Sequence, residues 1–218
     1  MKPKKLKALI KKTQAALRWP VVVVTSGDTL MITSTARPPQ HIVTMPADLK
    51  SAGQVRDIEY LHELAHATLC ETVHPIFSTN TIEADAETIS LVSPAFRACS
   101  DWFADAWLMK VAPNGELSEI DEHLELVMRY LQGDQAGGYE TLCGAALIIA
   151  QAVKYRGDSF RLGGQLQAAV NAFISTPCER PSVEKYVQLV NGLLAQIKMS
   201  ATLSEDQETW RIQTEIVS

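Results

Sequence analysis

No run of apolar residues in this 218-residue chain approaches the roughly 20 positions that a bilayer-spanning helix requires. The longest stretches, "VVVV" at 21–24 and "GAALIIA" at 144–150, stop far short. The start of the chain is basic, but Lys11-Lys12 interrupt what would be the apolar region of a signal peptide. Cysteine is scarce and scattered: Cys70, Cys99, Cys143 and Cys178 form no C-x-x-C pair, which excludes a zinc ribbon and argues against a disulfide framework. Reduced, buried thiols in a cytoplasmic protein are the expectation. Internal repeats and low-complexity segments are also missing. Acid is absent from residues 1–12, which hold six lysines, although the whole chain carries a net charge of −5. Taking those six lysines away leaves −11 on the remainder. A net acidic chain is not a generic polyanion binder, so neither a membrane nor nucleic acid is expected as a partner. The lysines read as a solvated helix face, with contact to DNA or an acidic partner as the alternative.

The patterns that are present change character along the chain. Residues 3–18 place Leu6, Leu9, Ile10, Ala16 and Leu17 at helical spacing between lysines, and Pro20 ends that helix. "PVVVVTS" and "TLMITST" are β-branched runs separated by Gly27-Asp28, a hairpin signal. "ARPPQ" reads as a loop, because neither proline donates to a ladder. "HIVTM" at 41–45 is a third strand, closed by Pro46, after which Asp48 or Ser51 can cap a helix. Apolar positions from Val55 to Leu69 then recur at helical spacing, and a second helix is expected over about 95–110, "AFRACSDWFADAWLMK". Pro113-Asn114-Gly115 breaks it. Further helices are expected near 117–132, 139–155, 160–175 and 182–199, and the tail "TWRIQTEIVS" is a final strand or disordered. The order is helix, small sheet, then helices, so the fold class is α+β with the sheet in the first 50 residues.

Inside the Val55–Leu69 helix lies "HELAH", residues 62–66. Residues four apart share one helix face, so His62 and His66 can each direct a nitrogen at one cation. Zinc accepts imidazole nitrogen at roughly 2.0–2.1 Å in a tetrahedral arrangement. Glu63 sits about 100° around the helix from His62, off the metal but beside its open position. A water there has its pKa lowered toward about 7, which suits a carboxylate general base.

A catalytic zinc needs a third protein ligand. The extended H-E-x-x-H-x-x-G-x-x-H word is excluded, because its later positions are Leu69 and Thr72; His74 falls two residues too late and reads as a loop histidine. The candidate third ligand is Asp101 in "DWFAD". Asp105, four residues on, would accept a hydrogen bond from a ligand histidine and fix its ring. The surrounding Trp102, Phe103, Trp107 and Leu108 mark a buried helix, where an acid needs a partner. Glu83, Asp85 and Glu87 remain alternatives, and Cys99 is conceivable on a poorer face.

"HELAH" on a helix, followed some 35 residues later by an acidic helix, resembles the zincin metallopeptidases with a carboxylate third ligand. "DWFADAWLMK" is similar to the Phe-Ala-x-x-Leu-Leu-Met-Pro helix of the ImmA/IrrE-type peptidases, small intracellular proteins of bacteria and mobile elements that cleave transcriptional repressors. The resemblance spans about residues 20–110, and the second helix is a short match. The family's glutamate before Phe-Ala is missing here, where Cys99, Ser100 and Asp101 stand, and Lys110 replaces its proline. The Asp-x-x-x-Asp spacing instead imitates the Glu-x-x-x-Asp arrangement of thermolysin-like enzymes. The resemblance implies a Zn2+-dependent cytoplasmic endopeptidase, a protein or peptide substrate such as a transcriptional regulator, and an edge strand that holds the peptide by strand addition, for which "HIVTM" is the candidate, with a plain core strand as its equal alternative.

The expectation is therefore a zincin-like catalytic core with an N-terminal amphipathic helix over 1–112, and a helical C-terminal region packed on it over 113–218. Tyr130, Tyr139, Tyr155 and His123 are candidate transition-state donors among which spacing does not choose. The rival reading is a non-catalytic regulatory or protein-binding module with a structural or vestigial metal site. Glu63 separates the two, because a structural site has no use for a general base.

Overall fold

A computed structural model describes residues 3–27, 31–47, 53–132 and 137–214, with the side chains of 53–56, 130 and 132 not among them. Asp28, Asp48 and Ser51, and the side chains of Val55 and Tyr130, thus lie outside the described residues. Contacts group the chain into two compact units, Met1–Thr79 with Ala104–Glu116, and Asn80–Phe103 with Leu117–Ser218. Mixed α+β structure holds as the class, and no described helix is long and apolar enough to cross a membrane.

In the first unit, α1 (Pro3–Ala16) turns Leu6 and Ile10 inward. They join Ile58, Leu61 and Leu64 of α2 (Gly53–Thr72) with Leu108 of α3 (Ala86–Val111) and Ala112 just after it in one apolar cluster. Near the end of α1 the Gln14 amide donates to the Tyr60 hydroxyl at 2.7 Å.

The first sheet corrects two expectations. Strands β1 (Val21–Ser26), β2 (Thr33–Arg37) and β3 (Gln40–Pro46) lie in the order β1-β3-β2. The first two strands do not pair as a hairpin: β1 runs parallel to β3, and β2 runs antiparallel to it across the Pro38-Pro39 turn. "HIVTM" therefore lies in the central strand rather than at an edge. Burial explains the order. His41 and Val43 are fully enclosed, while Val22, Val23 and Val24 are 38–48% exposed on β1. The strand with the more buried side chains takes the middle, where both of its edges are paired.

A carboxylate ties this sheet to the helices. Near the end of α2, Glu71 accepts from the backbone N–H groups of Arg18 and Trp19 at 2.6 and 2.8 Å and contacts His41 Nε2 at 2.9 Å. Burial by itself would raise the Glu71 pKa, but these donors outweigh it and hold the carboxyl below its usual range.

Helix α3 starts at Ala86, well before the expected 95. The reason is local: Asp85 accepts the Thr88 N–H at 2.8 Å and caps the helix, and Pro94 is carried within it.

In the second unit, α4 (Pro113–Gln132) begins at the proline itself, which suits the first helical turn. It is followed by α5 (Tyr139–Gln151) with a π turn at Ala152–Arg156, then α6 (Gly164–Ile174) and α7 (Val183–Leu194). The chain does not stay helical to 199. Lys198 takes a left-handed conformation (φ 57°) and releases β5 (Met199–Leu203). The Asn191 side chain receives β5, accepting from Ala201 N at 2.7 Å and donating to its carbonyl at 2.9 Å. A second sheet follows, in the order β4-β6-β5, from β4 (Thr81–Glu83) and β6 (Thr209–Thr214). Sheet structure is thus not limited to the first 50 residues, and the described part of the tail is a strand. Inside this unit the fully buried Tyr186 hydroxyl donates to the Phe96 carbonyl at 3.0 Å and pairs with Ser100 Oγ at 2.8 Å. It also accepts from the Asn80 amide at 3.0 Å.

Candidate metal centre

Two helices carry the candidate site. Leu108 on α3 and Ala112 just beyond its end pack with Ile58, Leu61 and Leu64 on α2. That contact lays the turn of α3 before Leu108 beside the turn of α2 after Ile58. The consequence is an ion pair between His62 Nδ1 and Asp105 Oδ1, 2.8 Å apart. On the next turn of α2, His66 Nδ1 lies 3.0 Å from the Phe77 carbonyl, which the short turn Pro75–Phe77 delivers.

These two contacts fix the chemistry of the other ring atoms. A backbone carbonyl only accepts, so His66 Nδ1 must carry the proton, and an ionised Asp105 asks the same of His62. Both Nε2 atoms then offer lone pairs, and they face each other 2.9 Å apart. Two lone pairs at that distance repel unless a cation or a shared proton lies between them. Tetrahedral zinc would set two nitrogens roughly 3.3 Å apart, given bonds of about 2.05 Å, so a small ring rotation fits it. Paired imidazoles, each with its second nitrogen held by an acceptor, are the donor arrangement that metal sites require.

Asp101 lies one turn before Asp105 on the same continuous helix. His62, His66 and Asp101 each offer a ligand atom, and these atoms all lie within 4.8 Å of one another. Trp102 and Phe103 pack within the second unit. Trp102 Nε1 donates to the Thr176 carbonyl at 3.0 Å, and Phe103 stacks on Tyr186 with ring centroids 6.2 Å apart. The aromatic residues thus help to fix the rotation of α3, with Asp101 and Asp105 together on a neighbouring face. This group can hold a metal ion.

The alternative ligands have other tasks. Glu83 pairs with Arg211 at 3.1 Å on exposed strands, Asp85 caps α3, and Glu87 sits exposed in the first turn of α3. Cys99 is fully buried, and burial, with Cys143 and Asp101 adding to it, pushes its thiol well above the usual range, which disfavours the thiolate a metal needs. His74 caps the Pro75–Phe77 turn through its own Nδ1, 3.4 Å from Ile76 N. All four cysteines are free and buried.

Glu63 is buried at 9% exposure on α2, and the hydroxyl of Ser34 on β2 donates to its backbone carbonyl at 3.4 Å. Of the candidate transition-state donors, Tyr155 pairs with Cys178 Sγ at 3.5 Å, Tyr139 is half-buried near Cys143, and His123 is exposed on α4. Two contributors escaped sequence reasoning, the Phe77 carbonyl and Ser34. A backbone carbonyl has no residue-type signature, and a serine on a strand is unremarkable until the strand order is known.

No family model, no curated protein and no solved structure matches this chain.

Proposed function

We propose that the chain is a zinc-dependent endopeptidase of the zincin class, acting on a protein or peptide inside the cell. The observation that carries this reading is the converging Nε2 pair of His62 and His66, with both Nδ1 atoms held by acceptors and Asp101 within reach. His62, His66 and Asp101 would hold the ion. When bound, zinc supplies Lewis acidity, polarising a scissile carbonyl and lowering the pKa of a water toward about 7. Glu63 takes the proton from the attacking water and passes it to the departing amine. Asp105 keeps the His62 ring in one tautomer and orientation.

Substrate placement falls to β2, the edge strand that packs on α2 beside Glu63. Thr79 Oγ1 already bridges the backbone of Ala36, accepting its N–H at 3.1 Å and donating to its carbonyl at 3.2 Å. The Thr33–Thr35 stretch is therefore where a substrate peptide would add as a strand. A repressor-type transcriptional regulator is the substrate that the resemblance suggests.

Glu63→Gln is the deciding experiment. The amide keeps the volume but cannot accept a proton, so metal content and fold should persist while peptide hydrolysis is lost. Unchanged turnover in that variant would remove Glu63 from the role of base, whereas a wild-type chain that holds metal yet hydrolyses no peptide would favour the rival, a regulatory module with a structural metal.

A further inference from the structure

Residues 1–27 contain no acid at all. On α1, Lys4, Lys5, Lys7, Lys11 and Lys12 are all exposed. At 100° per residue these five fall within an arc of about 160°, opposite the buried Leu6, Ile10 and Thr13. Among the described residues none of the five has an ion-pair partner. Folding gives no reason for this arrangement. Lys4 and Lys5 sit at the positive end of the helix dipole, and Lys7 and Lys11 are like charges one turn apart, both unfavourable. Solubility gives no reason either, because the acid-rich remainder already supplies net charge.

The face narrows the class of partner. The apolar side of α1 is committed to the core with Ile58, Leu61 and Leu64, so it has nothing to insert into a lipid surface. The lysine face carries no Arg, Asn or aromatic residue, and the Gln14 amide is bound to Tyr60, so apart from lysine itself it offers no side chain suited to reading base edges. Residues 4–12 rise about 12 Å, a length over which duplex DNA presents roughly seven phosphates at one charge per about 1.7 Å. Five cations over that length match the backbone charge density. The net acidity of the chain does not oppose this, because charges beyond about 8 Å are screened at physiological salt.

We propose that the lysine face of α1 docks on the phosphate backbone of duplex DNA, without regard to sequence. The site is independent of the metal centre.

The test is fluorescence anisotropy of the full chain with a labelled mixed-sequence DNA duplex, run across a salt series. Five phosphate contacts predict a logarithmic slope of about −4.5, or roughly a 500-fold loss of affinity from about 50 to 200 mM salt. The triple variant Lys4→Gln/Lys7→Gln/Lys11→Gln leaves two contacts and should lose only about 12-fold over the same range. The three positions are exposed, and an unchanged thermal melt verifies the fold. Metal chelation should leave DNA binding unaltered, which separates this site from the proposed peptidase. No binding at about 50 mM salt, or an unaltered salt slope in the triple variant, would overturn the proposal. So would recruitment to phosphatidylserine vesicles by a chain that fails to retain DNA.

Discussion

In the proposed site His62 and His66 would do the same work with different supports. His62 leans on a side chain, Asp105, and His66 on the Phe77 backbone. The supports should therefore respond differently to mutation. Asp105→Ala removes one and should lower metal affinity about 10–100-fold, as zinc titration would show. No single side-chain deletion removes the other. His62→Ala or His66→Ala should abolish stoichiometric metal, and retention in the double variant would sink the assignment. At this scale the sequence was legible where arithmetic governs. Spacings of i, i+4 on two helices put two histidines on one face and two aspartates on another. It was silent where the partner is a peptide group, because any residue can supply a carbonyl. It favoured Asp101 without excluding Glu83, Asp85 and Glu87, because only α3's early start shows that Asp85 is spent on a cap.

Elements were legible in proportion to how local their causes are. Helical periodicity located α2 and the later helices, since each turn is dictated by neighbours in sequence. Strand order was not, because four consecutive valines at 21–24 look like a core strand yet occupy the exposed edge. This ordering has a measurable consequence. Val43→Ala, at a fully enclosed position, should cost about 2 kcal/mol in chemical denaturation, from two lost methylene equivalents and a residual cavity. Val23→Thr on the exposed edge should stay within about 0.5 kcal/mol. A larger cost at Val23 than at Val43 would mean that β1, not β3, is the inner strand. The Glu71 clamp adds a pH signature to the same sheet. Its folded pKa lies below the unfolded value near about 4.3, so its contribution is complete above that pH. The contribution is lost as pH falls through the folded value. Glu71→Ala should remove this acid-range dependence and cost roughly 3 kcal/mol, because it also strands the buried His41 ring. A variant whose stability falls with acid as steeply as wild type would refute the clamp.

Across the whole molecule the feature with most leverage is α3. Its 26 residues form one helix that carries the buried Trp102 and Phe103 together with Asp101 and Asp105. A metal held by His62, His66 and Asp101 would cross-link α2 to this helix, so that ligand binding becomes folding stability. The gain follows mass action: about 2.7 kcal/mol when free metal is 100 times its dissociation constant. For a chain of this size each kcal/mol moves the melting temperature by roughly 2–4 °C, so saturating zinc should raise it by about 5–10 °C. Asp101→Ala tests the cross-link directly. Without that carboxylate two imidazoles remain, too few for a tight site, and the zinc-dependent rise should vanish. The variant should then melt near metal-free wild type whether or not zinc is added. Asp105→Ala should behave otherwise, since it weakens affinity without deleting a ligand, and its rise should return at higher zinc. If Asp101→Ala melts and titrates like the metal-loaded wild type, then Asp101 is not a ligand, and the two histidines must find their third partner elsewhere.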